Sequence, residues 1–316
     1  MEVKPWQWKK YCRGTISLCM IMKDEERFLE RCLKSVEGLV DEIIIVDTGS
    51  TDKSVEIAKK YGAVVVVDRW QDDFARPRNI GLSLAKKEWI LIMDPDEVLA
   101  RRDHLRVAEL TLVSGVDLWR MATRNYTQNR MMQGFLPSDF RYEEAKGWAG
   151  FTPSVKGRFF RNGKGIKFVG RWHEMVDYAV VAMGLVVKAA DVPIHHFTNE
   201  INQKSFAERQ AFYLRMGEKK VVDDPDDDQA WWELAVAEGI AGLNARAVRS
   251  IMMSMRKGYF TADRLFQFVN ALKAIGQEKL GRLAFEKAIC KLFPSLTHYD
   301  PALRSMDALL PHFSKK

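Results

Sequence analysis

Two aspartates one residue apart, in Met93-Asp94-Pro95-Asp96-Glu97, follow directly on the apolar run Trp89-Ile90-Leu91-Ile92. Carboxylates so placed at a strand end can approach one divalent cation, and oxygen ligands of this kind suit magnesium or manganese. Such a cation would bridge a diphosphate and neutralise charge on a departing nucleotide. The competing reading of the same residues is a helix cap by Asp96 or a solvated turn. Pro95 pins φ between the two acids, and Glu97 adds a third carboxylate.

Four other groups have chemistry within reach. In Asp47-Thr48-Gly49-Ser50-Thr51-Asp52, Asp47 can accept a hydrogen bond from a base or ribose. Gly49 lets a ligand approach the backbone, and the loop opens a helix whose N-terminus favours anions. In Asp73-Phe74-Ala75-Arg76-Pro77-Arg78-Asn79, Arg76 and Arg78 can each pair with phosphate. His195 and His196 stand just after Pro193, and a neutral imidazole there can supply a further metal ligand. Adjacent strand residues point to opposite faces, so one of the two histidines is expected to turn away. In Trp172-His173-Glu174 the carboxylate can serve as a general base; the competing reading is an acid paired to Arg171 or Arg158.

The elements that position these groups follow from hydrophobic period. Residues 15–22, 42–47, 63–67 and 89–93 are short apolar runs bounded by turn residues or charge, which predicts buried strands. Between them, residues 25–39 repeat apolar positions at three- and four-residue spacing, as an amphipathic helix does. A second helix is expected over 53–61, capped by Ser50 or Thr51 and stopped by Gly62, and a third over 79–85. Apolar strands alternating with helices imply a parallel sheet covered on both faces, with ligands beyond the carboxyl ends of the strands. Asp24, Asp47 and Asp94 all fall at such ends. Residues 116–122, 158–161 and 186–194 predict antiparallel additions to the sheet. From residue 199 the pattern is helical, interrupted by Asp223-Asp224-Pro225-Asp226-Asp227-Asp228. Pairs over 229–242 and 244–257, then 261–275 and 278–292, have the spacing of a short tetratricopeptide-like array.

The net charge of +7 suits anionic partners such as nucleotide diphosphates or a membrane surface. The basic residues are dispersed and no aromatic-basic RNA motif occurs, so nucleic acid is not expected. Cys12, Cys19, Cys32 and Cys290 form no CxxC pair and read as buried reduced thiols. Trp6 and Trp8 lie between lysines, an arrangement able to touch a bilayer interface. The first residues hold no apolar signal region, which favours the cytoplasm, with peripheral contact at the inner face of the membrane.

Ile16-Ser17-Leu18-Cys19-Met20-Ile21-Met22-Lys23-Asp24-Glu25-Glu26, Ile45-Val46-Asp47-Thr48-Gly49-Ser50-Thr51-Asp52, Asp73-Phe74-Ala75-Arg76-Pro77-Arg78-Asn79 and Asp94-Pro95-Asp96-Glu97 occur in that order. Together they resemble the family 2 glycosyltransferases of GT-A fold. Gly170-Arg171-Trp172-His173-Glu174 and Val192-Pro193-Ile194-His195-His196-Phe197 are similar to a bacterial branch with tetratricopeptide-like helices after the catalytic domain. That branch includes peptide S-glycosyltransferases of the sublancin type.

The resemblance implies an α/β GT-A domain over 1–198, a Rossmann-like mixed sheet with helices on both faces. An all-α domain over 199–316 would follow, for acceptor recognition or dimerisation. It implies inverting sugar transfer from a UDP- or GDP-linked donor, with Mn2+ or Mg2+, to a glycan, lipid-linked glycan or peptide. Asp24, Glu25, Asp47, Arg78, Asn79 and Asp94 would bind the nucleotide sugar. Asp94, Asp96 and one of His195 and His196 would hold the metal. Asp96 and Glu174 would be catalytic, Glu174 as base. Asp24 stands where the family usually has Asn, and Pro77 and Pro95 where Ala is usual. A catalytically silent nucleotide-sugar scaffold and a nucleotidyltransferase are the alternatives. Against the latter, Lys23-Asp24-Glu25-Glu26 is acidic and lacks the glycine-rich basic loop of that class.

Overall fold

The computed structural model describes residues 13–132, 134–171, 174–197, 206–257 and 262–283. The chain divides into two compact units, residues 1–202 and 203–316.

In the first unit, β1 (Ile16–Met22) lies between β2 (Glu42–Asp47) and β4 (Trp89–Ile92), with β3 (Val64–Val67) outside β2; these four strands are parallel. Their connecting helices are α1 (Leu29–Ser35), α2 (Ser54–Lys60) and α3 (Ala75–Leu84). Alternate residues of β1 serve opposite layers. Ile16, Leu18, Met20 and Met22 join a core with Leu29, Leu33 and Ala58, whereas Cys19 joins one with Ala75 and Leu82. The α/β expectation therefore holds, with α1 and α2 on one face of the sheet and α3 on the other.

The sheet then turns mixed. Strand β8 (Gly150–Arg161) runs antiparallel beside β4, and β6 (Leu118–Thr127) antiparallel beside β8. Between them the register slips by one residue: Trp119 faces Phe159 but Arg120 faces Gly157, which leaves Arg158 as the extra residue of a β-bulge. A side chain on Gly157 would lie 2.8 Å from Leu118 and 2.9 Å from Val176, so only glycine lets the segment before α5 (Asp177–Ala182) close on the strand. The antiparallel expectation for residues 186–194 is met only in the pairing with the edge strand β5 (Glu97–Leu99). Two short strands form there, β9 (Val187–Ala189) and β10 (Ile194–His196), and both pair parallel to β6. Pro193 has no N–H for a ladder and interrupts the run. Strand β5 pairs antiparallel with β10.

Two further expectations are corrected. The strand before the acidic motif ends at Ile92 rather than Met93. Helix α2 starts at Ser54 without a side-chain cap, because the Ser50 hydroxyl is given to Asp47.

The described residues of the second unit form helices: α6 (Phe206–Asp223), α7 (Asp228–Ile240), α8 (Asn244–Lys257) and α9 (Ala262–Ala274). Asp227 ends the acidic break as the cap of α7, accepting from the Gln229 N–H at 2.9 Å. Helices α6 and α7 meet at Gly217, where a Cβ would lie 3.0 Å from the Leu234 Cα. Ala235, Ala237 and Ala247 are buried at the helix contacts, while Ala241 and Ala245 are exposed. Ala284, Ala288 and most of the helix expected over 278–292 lie outside the described residues, as do Trp6, Trp8, Cys12, Cys290, Trp172 and His173. Cys19 and Cys32 are buried free thiols, as expected. Among the described residues no helix is long and apolar enough to cross a membrane.

Candidate active site

Beyond β4 the chain makes a tight turn through the acidic motif. The Glu97 N–H donates to the Asp94 carbonyl at 3.0 Å, and the Asp94 N–H donates to the Glu97 carboxylate at 2.7 Å. Glu97, 1% exposed, is the floor of the site rather than a third ligand. The bulge residue Arg158 grips both its oxygens, at 3.1 and 2.7 Å. Burial and the neighbouring acids push the Glu97 carboxyl up despite that arginine.

The clamped turn sends its two aspartates to different partners. Asp94 accepts from Arg78 Nη2 at 2.8 Å and lies 3.6 Å from Arg158. Burial works against its charge, yet the two guanidinium groups hold its carboxyl well below the usual range. Asp96 instead meets His196 Nε2 at 2.8 Å. The other ring nitrogen of His196 lies 2.7 Å from Asn125 Oδ1, and the Asn125 amide is oriented by donating to the Thr152 carbonyl at 2.9 Å. That chain of bonds fixes the imidazole as metal-ligating histidines are fixed, through the nitrogen not facing the metal. Burial disfavours the imidazolium, but the hydrogen bond and charge of Asp96 raise the His196 pKa overall.

The two aspartates of the motif thus have different partners in the folded chain, arginines for Asp94 and His196 for Asp96. Among the described residues no three acidic, histidine or cysteine side chains converge as a metal cage. The Asp96–His196 pair does fit magnesium or manganese bound with few protein ligands, the remaining positions falling to substrate phosphates and water.

His195 is not at this site. It faces away from His196 on β10, fully buried, with Nδ1 2.8 Å from the Tyr126 hydroxyl. Of the two histidines it is His196 that meets Asp96. Burial, aided by Arg124, pushes the His195 pKa down to about 3. The folded chain therefore holds it neutral, while the unfolded chain protonates it near 6.5. This stability is complete above about pH 6.5 and is lost as pH falls toward 3, roughly 5 kcal/mol in all. Melting followed between pH 7 and 4 should show that slope, and His195→Phe should flatten it.

The remaining expected ligands are engaged by the fold. Asp47 is 3% exposed and accepts from the Gly49 and Ser50 N–H groups of its own loop. Asp24 has a φ of +54° and caps the Thr51 N–H at 2.7 Å. Asp and Asn both tolerate that left-handed conformation, so the departure from Asn keeps the turn. The Glu25 N–H donates to Ser54. Asn79 faces protein: its amide donates to the Phe168 carbonyl at 3.0 Å and accepts from the Phe168 N–H at 2.8 Å.

Glu174 pairs with neither Arg171 nor Arg158 but with Arg78, Nε to Oε1 at 2.6 Å. One guanidinium therefore links Glu174 to Asp94. The cleft around it is also lined by Lys156, Arg158 and Asp177. Three cations and three acids share these walls. Lys156, Arg158, Asn125 and Glu97 were not assigned from sequence. Arg158 stood in a predicted strand, but the bulge that aims it has no signature there.

Residues 17–160 match the family described as Glycosyl transferase family 2. The chain is 32% identical over 222 residues to a TPR repeat-containing protein of Synechococcus elongatus, covering 67% of this chain and 49% of the relative. It is 30% identical over 170 residues to the SPbeta prophage-derived glycosyltransferase SunS of Bacillus subtilis, covering 53% of this chain and 36% of SunS. The chain thus spans about half the length of the first relative and about a third of the second. It also resembles residues 1–349 of S. aureus TarS, with a TM-score of 0.47 and 14% identity, covering 87% of this chain and 91% of that one.

Proposed function

Residues 17–160 belong to glycosyl transferase family 2, and from that premise we propose that the chain transfers a sugar, with inversion, from a UDP- or GDP-linked donor to a hydroxyl or thiol of a glycan, lipid-linked glycan or peptide. One observation carries the reading: the Asp96–His196 pair, oriented by Asn125, shares its acidic turn with Asp94, and Asp94 lines a cleft walled by Arg78, Lys156 and Arg158. Carboxylate and imidazole suit a divalent cation, and guanidinium and ammonium groups suit phosphate oxygens. Arg78 Nη1 is buried without a hydrogen-bond partner, a donor that an anionic ligand would satisfy.

In this mechanism Arg78 and Lys156 bind the diphosphate and orient the donor. Glu174 takes the proton of the acceptor as its oxygen or sulfur attacks the anomeric carbon. The bond from that carbon to the β-phosphate oxygen breaks, its electron pair leaves with the nucleotide diphosphate, and the configuration inverts. A magnesium or manganese ion held by Asp96 and His196 would neutralise charge on the leaving diphosphate. The helical unit would recognise the acceptor or form a dimer.

A thermal-shift panel of nucleotide sugars with manganese tests the assignment. UDP- or GDP-sugars should raise the melting temperature by about 5–10 °C at a hundredfold excess over Kd. Stabilisation by nucleoside triphosphates alone would make the chain a nucleotidyltransferase instead.

A further inference from the structure

The bond between Arg78 and Glu174 sets a problem for the proposed base. With Oε1 already accepting from the Arg78 guanidinium at 2.6 Å, that carboxylate oxygen is occupied and cannot receive the acceptor's proton while the pair lasts. Hydrogen bonds hold the backbone on either side of the pair close together. Arg78 sits on α3, and the segment carrying Glu174 is tied to that helix and its lead-in. Asn79 holds the Phe168 backbone by two hydrogen bonds, and the Phe74 N–H donates to the Arg171 carbonyl at 2.9 Å. Val169 and Met175 close the segment on itself with paired bonds of 3.1 and 3.2 Å. The pair can still part through its side chains, the guanidinium among them. That group lies over the Phe168 ring, 5.3 Å from the centroid, an apolar platform that makes no hydrogen bond to hold it.

We propose that Arg78 is a donor-operated latch: it holds the Glu174 carboxylate until the diphosphate of the donor claims the guanidinium, and only then is Glu174 free to accept the proton of the acceptor. This rests on the glycosyl-transfer reading above and makes the freeing of the base depend on the donor's diphosphate. Before the donor arrives, Arg78 spends Nε on Glu174 and Nη2 on Asp94, with Nη1 unpartnered. A diphosphate offers Nη1 its missing acceptor and competes with both carboxylates for the other donors. Exposed Lys156 lines the same cleft and adds positive charge for the entering anion. Asn79 becomes a positioning residue, since it fixes the distance across which the latch closes.

The latch predicts an effect opposite in sign to that of a structural role. In Glu174→Gln the competing negative charge is gone while the side chain keeps its shape, so diphosphate should bind more tightly although transfer is lost. Calorimetry on the full chain with Mn2+ and inorganic pyrophosphate, the group shared by all such donors, measures this, with UDP and GDP alongside. About tenfold lower Kd is expected in the variant, the worth of one charge-assisted hydrogen bond. Glu174→Ala should show the same tightening if the glutamine variant does not fold. Equal or weaker binding in the variants, with the wild type binding normally, overturns the latch and leaves glycosyl transfer standing. No binding of any of the three by wild type or variants overturns both.

Discussion

Asp96→Asn should lower donor turnover by the manganese-loaded chain about a thousandfold, roughly 4 kcal/mol of transition-state stabilisation. The asparagine keeps the volume of the side chain and a hydrogen-bonding oxygen for His196, so the turn and the fold are retained. What is lost is the negative oxygen facing His196 Nε2 across 2.8 Å. Release of nucleotide from UDP- and GDP-sugars reads the rate without an acceptor, and the paramagnetic signal of bound manganese reads the metal separately. Both should fall together, and the double variant Asp94→Asn/Asp96→Asn should leave no metal-dependent hydrolysis. Unchanged turnover in the double variant removes the metal from this site. The pH dependence has a defined sign. Because the Asp96 neighbourhood raises the His196 pKa, a proton competes with the cation more strongly as pH falls, and manganese should bind less tightly in acid.

The second large effect is on stability. Arg158→Met should destabilise the first unit by about 3–5 kcal/mol, because it leaves the 1%-exposed Glu97 charge without its guanidinium. For a unit of this size that is a fall in melting temperature of about 10 °C. Glu97→Gln with Arg158→Met removes both charges, keeps a side-chain oxygen for the Asp94 N–H, and should recover most of the loss. A double variant as unstable as Arg158→Met alone would mean that the arginine matters for its packing and not for its charge.

Much of this arrangement was legible in the residues. The parallel half of the sheet follows from four apolar runs with helical patterns between them, and the strand ends carry the expected acids. Local signals sufficed there because each element is decided by its own periodicity. What could not be read depends on segments far apart in the chain. Arg78 and Glu174 are 96 residues apart, and no local pattern announces that Asn79 will spend its amide on the backbone before Glu174's loop. The two histidines were expected to diverge, but which of them meets Asp96 depends on the pairing of β10 with β5 and β6. Asp47 and Asp24 stand at strand ends as expected, and no local pattern announces that their carboxylates also tie the loops together.

The bulge at Arg158 divides β8 into two lengths with opposite phase. On one side Phe159 and Phe160 feed the two cores; on the other, Lys156 reaches the cleft. An even ladder would have to choose between a well-filled interior and a charged rim, since one alternation cannot serve both. The extra residue removes that choice, so the interior of this strand and its rim are free to change in evolution without dragging each other out of step. A single-residue deletion there would undo the arrangement more thoroughly than most substitutions, because it would rotate every side chain on one side of it.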